Sequence, residues 1–132
     1  MHQAIYAAQP DIHCVMTAQS PNATAYAITA ARFDSRTIPE SFILLRDIPK
    51  LPFRTLYTAP EMLAAQISLR QPVLLVQNDC VLTVGTDVLN AFDRLEVAEF
   101  SAKSLIDTAV LGPHVPIGDA EIHDLETAFG LS

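Results

Sequence analysis

The chain has 132 residues, half of them hydrophobic, and its eight basic and fifteen acidic residues give a net charge of −7. This length is enough for one domain with a buried core. The acidic balance and the scattered basic residues argue against nucleic-acid binding, and no apolar run reaches the roughly eighteen residues of a membrane span.

The start of the chain and its two cysteines indicate the compartment. The N-terminus has no basic region followed by an apolar core, so the sequence predicts a cytoplasmic protein without a secretion signal. Cys14 and Cys80 lie far apart and form no Cys-x-x-Cys pair, which excludes a zinc knuckle. Both are expected to be reduced thiols.

The first predicted elements are a helix, a strand and a second helix. Residues 2–8 are expected to end a helix, before a turn at Pro10. Residues 13–19 are expected to form a strand, in which alternate side chains share a face. One of its faces carries His13, Val15, Thr17 and Gln19. Ser20 as N-cap and Pro21 as the first helical residue begin the second helix.

The middle of the chain is predicted to hold a short strand, a connector and a helix. Residues 41–46 predict a strand, and the proline-punctuated residues 47–53 predict an extended connector. Thr58 and Glu61 have the spacing of a capping box, which predicts a helix that continues to about Leu69.

A strand, a tight turn and a second strand are expected next. Residues 73–77 and 81–85 are apolar runs separated only by Asn78, Asp79 and Cys80. Two strands joined by so short a turn must be antiparallel. The sequence therefore predicts an α/β protein with a mixed or antiparallel sheet covered by helices, and not a doubly wound parallel sheet.

Two helices are predicted after this hairpin. Thr86 is expected to cap the longest helix, which continues to about Leu111 before Gly112 and Pro113. A short last helix is expected to begin at Asp119 and to end at Gly130. The predicted buried stripe of the longest helix consists of Val88, Phe92, Leu95, Ala98, Ala102, Leu105 and Ala109.

Three blocks of sequence carry a family resemblance. The first block resembles a strand, an Asn-His-Gly turn and a second strand, and here it reads V-L-L-V-Q-N-D-C-V-L-T-V-G. The second block resembles a segment of Pro-Asp, a short apolar strand and His-Thr-His-Ser, and here it reads P-D-I-H-C-V-M-T-A-Q-S. I-P-E-S-F between them is similar to a Pro-Glu-Ser linker. This order resembles the class II aldolase/adducin family, of the L-fuculose-phosphate aldolase kind, from His2 to about Gly112.

The resemblance implies a fold and a domain organisation. It implies an α/β fold with three α/β/α layers around a mixed, largely antiparallel central sheet. It also implies a single aldolase/adducin-like domain over residues 1–132, which lacks the family's N-terminal portion. The acidic residue that abstracts a proton in the enzymes, and their phosphate-binding loops, would belong to that portion.

The same resemblance implies that the zinc site is degenerate. The enzymes hold a catalytic zinc with three histidines, and this chain has Thr17, Gln19 and Asp79 at those positions. Cys80 stands at the glycine that follows the third histidine. No catalytic residue and no metal ligand is therefore expected, and the three positions are interpreted as a vestigial pocket. No cofactor is expected for this chain, whereas zinc would be expected in intact enzymes of the family.

Alternative roles for these and other residues remain open. A carboxylate and an amide oxygen suit Mg²⁺ or Ca²⁺ better than zinc, but those ions need more oxygen ligands. A hydrogen-bonded polar cluster of Thr17, Gln19 and Asp79 is the simpler expectation. Cys80 is expected to be a structural thiol, because the neighbouring carboxylate raises its pKa. His13, His114 and His123 are not expected to replace the missing ligands, and His2 is expected to pack. Glu96 and Glu99 are expected to be solvated or subunit-contact charges and not an acid/base pair.

Three functional hypotheses follow from the resemblance. The first is a non-catalytic aldolase-fold protein that acts through self-association, as a homo-oligomer, or through a protein partner. Apolar surface near the sheet is expected to be exposed and to promote this association. The second is a sugar-phosphate aldolase or epimerase, which would need a new electrophile or a second chain. The third is a gene remnant, or the product of a split gene, with no activity of its own. No membrane or nucleic-acid partner is expected.

Overall fold

A computed structural model describes residues 1–131, in which seven helices surround a four-stranded sheet. The helices are α1 (His2–Ala8), α2 (Pro21–Ala27), α3 (Pro39–Leu45), α4 (Thr55–Thr58), α5 (Pro60–Gln66), α6 (Val88–Thr108) and α7 (Asp119–Phe129). The strands are β1 (Cys14–Ala18), β2 (Lys50–Leu51), β3 (Val73–Val76) and β4 (Cys80–Gly85).

The sheet is mixed, with the strand order β1-β4-β3-β2. β4 pairs antiparallel with both β1 and β3, and β2 adds a short parallel pair beside β3. The predicted hairpin of β3 and β4 is confirmed, with Val76 opposite Cys80 across the turn. Residues 47–53 are not only a connector, since they contribute β2 to the sheet edge.

Helices cover both faces of the sheet and bury one apolar cluster on each. The first cluster joins α1, α4 and α5 to strand residues such as Val15, Leu74 and Leu82. The second joins α2, α3 and α6 to Val73, Leu75 and other strand residues. All residues of β3 and β4 are buried, as expected for strands with helices on both sides. The predicted α/β fold with three layers is therefore confirmed.

The prediction of a strand at residues 41–46 is wrong, because these residues belong to α3. Pro39 occupies the first helical turn, where its missing N–H costs nothing, and Glu40 favours the same turn. Phe42 and Leu45 are buried at helical spacing. The Ser41 hydroxyl lies 2.6 Å from the Ser101 hydroxyl of α6, so a buried polar contact also fixes the helix to its neighbour.

The predicted capping box before α5 is also wrong. Thr58 ends α4, and its hydroxyl donates to the carbonyl of Arg54. Ala59 is the residue that precedes Pro60, which begins α5 without a side-chain cap. The helix ends at Gln66, three residues earlier than expected, although Leu63 within it is buried as predicted.

The long helix α6 begins close against the end of β4. Asp87, not Thr86, is its N-cap, and the Asp87 carboxylate accepts a hydrogen bond of 2.8 Å from the Asn90 amide. A Cβ atom at Gly85 would lie 2.5 Å from the Ala91 nitrogen. Only glycine therefore allows this close approach of strand and helix.

The buried face of α6 differs from the prediction. Ala98 and Ala102 are buried as expected, but Val88, Phe92 and Ala109 are exposed. The helix packs closely on α2, α3 and β4, so small side chains fill the inner face and large apolar ones lie outside. The buried residues of α6 are Ala91, Val97, Ala98, Ser101 and Ala102.

The end of the chain follows the prediction more closely. α6 ends at Thr108, slightly before the expected end at Leu111. α7 begins at Asp119 and is closed by Gly130, whose φ of 61° is the left-handed conformation that glycine adopts at a helix end. No helix among residues 1–131 is long and apolar enough to cross a membrane.

Candidate functional site

The end of β1 and the start of β4 meet at one edge of the sheet. Thr17 lies opposite Leu82, whose side chain belongs to the cluster covered by α1 and α5. Because opposite residues of an antiparallel pair share a face, Thr17 is on that face too. Gln19 directly follows β1, and Asp79 directly precedes β4. The sheet thus brings the three predicted site positions to the same edge.

The turn that carries Asp79 is fixed by its backbone. Asn78 has a φ of 56°, a left-handed conformation that asparagine tolerates better than most residues. Its amide donates to the carbonyl of Ala27 at the end of α2, at 3.1 Å. The amide of Asp79 donates to Val76 at 3.0 Å and closes the turn. The position of Asp79 is therefore set by α2 as well as by the hairpin.

The side chains at this edge do not form the expected polar cluster. Thr17 and Gln19 are exposed, and Asp79 is half-buried. Among residues 1–131, no hydrogen bond joins the side chains of Thr17, Gln19 and Asp79. The edge is an open polar surface, and water is available to each of the three groups.

The donor atoms at this edge do not fit zinc. Zinc sites in proteins are built from thiolate, imidazole and carboxylate ligands, usually in tetrahedral sets. The edge offers one carboxylate, one amide and one hydroxyl. Over the described residues 1–131, no three His, Cys, Asp or Glu side chains are grouped closely enough to hold a metal ion.

Cys80 contributes no reactive thiol to the edge. Its side chain is 2% exposed and packs in the cluster beneath α1 and α5. Burial, assisted by the negative charge of Asp79, raises the pKa of the Cys80 thiol to about 12. The thiol is therefore protonated at neutral pH, which agrees with the predicted structural role.

Within residues 1–131, none of the four histidines joins two other His, Cys, Asp or Glu side chains closely enough to hold a metal ion. His13 is exposed at the opposite end of β1, where its amide donates to Gly85. His2 is exposed on α1, and His123 is exposed on α7. His114 lies 3.1 Å from the carboxylate of Asp34, in an exposed pair. None of them can complete a ligand set with Asp79 in this arrangement.

Glu99 has a structural role that the sequence did not reveal. Its carboxylate accepts hydrogen bonds from the backbone amides of Asn22 and Ala23, each at 2.9 Å, and from the side-chain amide of Asn22 at 2.7 Å. It therefore caps the first turn of α2 from the neighbouring helix α6. The expectation of a solvated charge is wrong for Glu99, and a subunit contact by this residue stays a prediction. The cap and the capped helix lie 77 residues apart, so no local spacing indicates the contact.

The same contacts determine the ionisation of Glu99. Burial disfavours the charged carboxylate, but the hydrogen bonds from Asn22 and Ala23 outweigh burial and hold the Glu99 pKa below its ordinary value of 4.5. The positive end of the α2 dipole favours the same charged form. Glu99 is thus a fixed anion at neutral pH.

We expect Glu99→Gln to lower the free energy of unfolding by about 1–3 kcal/mol, because hydrogen bonds to a charged group are lost or weakened. The contribution of the carboxylate is present above the unfolded-state pKa and is lost as the pH falls through the lower folded-state pKa. Urea unfolding at pH 7 and at acidic pH measures both effects. Asp124→Asn is the control, since Asp124 is an exposed carboxylate in the middle of α7. An equal loss in both variants contradicts the capping role.

Comparison with known proteins gives a consistent family assignment. The model of the class II aldolase and adducin N-terminal domain matches residues 1–106. No curated protein matches the chain.

Solved structures share the fold at low sequence identity. YgbL from Escherichia coli, named as a candidate aldolase, epimerase or decarboxylase, superposes with a TM-score of 0.83 at 19% identity, over 94% of this chain and 62% of that one. An L-fuculose 1-phosphate aldolase gives 0.79 at 20% identity, over 98% and 61%. The enzyme of that name from Glaciozyma antarctica gives 0.74 at 18%, over 96% and 48%. The chain spans less than two thirds of the length of these relatives.

Proposed function

The chain belongs to the class II aldolase and adducin family, and we propose that it acts without the family's zinc, by association with a second copy of itself. The observation that carries the proposal is the outward face of α6. Four large apolar side chains on this helix are at least 45% exposed: Val88, Leu89, Phe92 and Phe100. An exposed apolar stripe of this kind is typical of a surface that binds another protein.

The charges on α6 favour a second copy as the partner. Glu96 and Lys103 lie at equal distances along the helix from a point midway between Glu99 and Phe100. Two copies of α6 related by a two-fold axis through this point run antiparallel, and Glu96 of each copy then lies opposite Lys103 of the other. Such a pairing brings opposite charges together, and it also places the apolar residues of one helix against those of the other.

The same two-fold arrangement also matches apolar residues. Counted along the sequence, Leu89 and Val110 are equidistant from this axis, and so are Val88 and Leu111, of which Val110 and Leu111 lie in the turn that follows α6. All four side chains are at least 62% exposed in the single chain. Antiparallel pairing would therefore bury apolar side chains at both ends of α6, where they otherwise face water.

Phe100 lies between two concave surfaces that a partner side chain can fill. One is a shallow groove of about 370 Å³ bordered by Leu95 and by the charged side chains of Glu96, Glu99 and Lys103, and the other is a shallow groove of about 330 Å³ bordered by Glu40, Glu96 and Val97. A large aromatic side chain seated in such a groove is the usual anchor of a protein interface. Phe100 of the second copy has the size and position to be that anchor.

Exposed large apolar side chains lie on α6 and at other positions such as Phe53, Tyr57 and Val115, and not over the sheet, where exposed apolar surface was expected. Both faces of the sheet are covered by helices, and its apolar strands β3 and β4 are buried. The proposed self-association therefore depends on the exposed side chains of α6 and not on the sheet.

The donor set at the edge of the sheet supports the proposed absence of zinc chemistry. Thr17, Gln19 and Asp79 supply neither imidazole nor thiolate, and the nearby Cys80 is buried and protonated. The family's reactions use the metal to polarise a carbonyl or to stabilise an enolate, and these side chains offer no substitute of comparable strength.

We expect the purified protein to be a dimer by light scattering across a range of concentrations, and to retain no stoichiometric zinc after soaking and desalting. The first expectation follows from the outward face of α6, and the second from the donor atoms at the sheet edge. A monomer that persists at high concentration contradicts the self-association. Close to one zinc per chain, measured by elemental analysis, contradicts the proposed loss of zinc chemistry.

The alternative function is a sugar-phosphate aldolase or epimerase, or one subunit of such an enzyme. The similarity in fold to proteins named L-fuculose 1-phosphate aldolase favours it. Under this alternative a second chain, or a segment outside these residues, would have to supply the electrophile and the proton-abstracting group. Turnover of a sugar phosphate by the protein alone or with a partner chain would decide for it.

A further inference from the structure

The two outer strands of the sheet differ in how they are protected from further pairing. β1 is the last strand on one side of the sheet, and β2 is the last on the other. An outer strand directs N–H and C=O groups away from the sheet, where a strand of another chain can pair with them. Proteins block such pairing with very short strands, prolines, lysines or a covering loop.

The outer edge of β2 is blocked in several of these ways. The strand has two residues, and Pro49 and Pro52 flank it. Lys50 lies within it, and its Nζ donates to the carbonyl of Thr29 at 2.5 Å and to that of Ala31 at 3.0 Å. The lysine therefore ties a loop to this side of the sheet, and the prolines lack amides that a further strand would need.

The sequence of β1 contains none of these devices. The strand Cys14–Ala18 has five residues, without proline, glycine or a charged side chain. Residues 1–31 contain no Lys or Arg at all. Within residues 1–131, the backbone of this strand pairs with β4 alone. The edge that β1 forms is therefore open to pairing.

The alternation of hydrogen bonds across the sheet identifies the free backbone groups of β1. Leu75 and Gln77 donate their amides to β2 and the residue before it. Successive residues of a strand direct N–H and C=O to opposite sides, so the residue between these two pairs with β4. One strand further, Thr83 pairs with Met16. Thr17 therefore directs its N–H and C=O away from β4.

The second half of this edge is the accessible part. Cys14 and Val15, at the start of β1, are only 9% and 8% exposed. Thr17 and Gln19 are exposed, and the residues beside them are partly exposed. A pairing strand would therefore lie along residues 16–19.

Carboxylates flank both ends of β1. Asp11 lies shortly before the strand, and Asp87 follows Gly85, the residue opposite Cys14. Asp79 lies at the other end, and Asp11 and Asp87 are exposed. Pairing of β1 with β1 of a second copy would bring these like charges together, in chains that each carry −7. A strand with basic residues at its ends would meet opposite charges instead.

We propose that β1 binds an extended, uncharged segment of another protein that carries Lys or Arg at its ends, and that this segment adds a fifth strand to the sheet. In this mode of recognition the main-chain hydrogen bonds, here those of Thr17, give the affinity. The flanking carboxylates select the basic ends. The surface uses the backbone of β1, and not the outward side chains of α6 on which self-association was proposed.

The test is a titration of the full chain with a synthetic peptide of alternating valine and threonine with lysines at both ends, measured by calorimetry. Saturable binding is expected, and NMR should show slower hydrogen exchange of the Thr17 amide in the complex. The same peptide methylated on its backbone nitrogens should not bind, because it has no N–H to donate. A version with glutamates in place of the lysines should bind about tenfold more weakly or less.

Substitutions at Thr17 separate the backbone from the side chain. Thr17→Pro removes the outward N–H and should abolish peptide binding, while proline at an outer strand position leaves the pairing with β4 intact. Thr17→Val keeps the N–H and should bind like the natural chain. Should Thr17→Pro fail to fold, Asp11→Asn combined with Asp79→Asn carries the comparison, and should weaken binding of the lysine peptide about tenfold.

Four results overturn the proposal. They are the absence of peptide binding, equal binding of the methylated peptide, unchanged binding by Thr17→Pro, and loss of binding in Thr17→Val. A lower mass of Thr17→Pro than of the natural chain in light scattering assigns the edge to a second copy, and also overturns the proposed partner.

Discussion

A variant with Thr17→His, Gln19→His and Asp79→His should retain close to one zinc per chain, whereas the natural chain should retain none. The three substitutions rebuild a set of three imidazoles at the edge where β1 ends and β4 begins, and three histidines are a common zinc set. We expect a dissociation constant of about 1 μM or tighter, which corresponds to about −8 kcal/mol. Elemental analysis after desalting and a competitive zinc titration measure it.

The controls for this variant test the geometry and not only the number of histidines. Each pair of substitutions should bind more weakly than all three together, and binding should fall as the pH drops below about 6.5, because imidazole must be neutral to bind zinc. Aldolase activity is expected to remain very low. A triple variant that folds but binds zinc no better than the natural chain shows that the three positions do not share a site.

Phe100→Glu should convert the dimer to a monomer. Phe100 lies at the centre of the outward face of α6, and a buried charge at that position would have no partner. Loss of a central aromatic anchor weakens an interface by about 2 kcal/mol or more, which is roughly thirtyfold in affinity. Sedimentation or light scattering over a concentration series measures the effect. Phe53→Glu is the matched control, because Phe53 is equally exposed outside this face.

A charge exchange tests the antiparallel two-fold arrangement itself. Glu96→Lys should weaken the dimer, because it places two lysines opposite each other at both ends of the pair. The double variant with Glu96→Lys and Lys103→Glu should restore the dimer, since the opposite signs face each other again. Lys103 also pairs with Asp107 in its own helix at 2.6 Å, so helix content must be followed in parallel. Failure of the double variant to restore association contradicts the arrangement.

The parts of the fold that the sequence predicted correctly are those set by local patterns. The hairpin of β3 and β4 follows from two apolar runs separated by three residues, which permits only an antiparallel pair. The end of α7 follows from Gly130, whose left-handed conformation closes a helix. In both cases the determining residues are adjacent in sequence, so the sequence alone contains the information.

The predictions were wrong where contacts between residues far apart in the sequence determine the structure. The apolar run of α3 is compatible with either a strand or a helix, and its packing against α6 through Ser41 and Ser101 selects the helix. The role of Glu99 depends on α2, and the identity of the buried face of α6 depends on how closely it approaches its neighbours. No spacing rule contains these contacts.

The candidate site was predicted through family resemblance more than through chemistry. The structure brings Thr17, Gln19 and Asp79 to one edge, but it does not join them by hydrogen bonds.

The pairing of β1 with β4 also affects the order in which the sheet can form. The hairpin of β3 and β4 closes a loop of a few residues, whereas β1 must find β4 across more than sixty, from Ala18 to Val81. The entropy of closing a flexible loop grows with the logarithm of its length, which makes the second closure about 2–3 kcal/mol more costly. We therefore expect β1, the strand that carries Thr17, to pair after the hairpin of β3 and β4 has formed, so that the edge shared by Thr17 and Asp79 is completed late in folding.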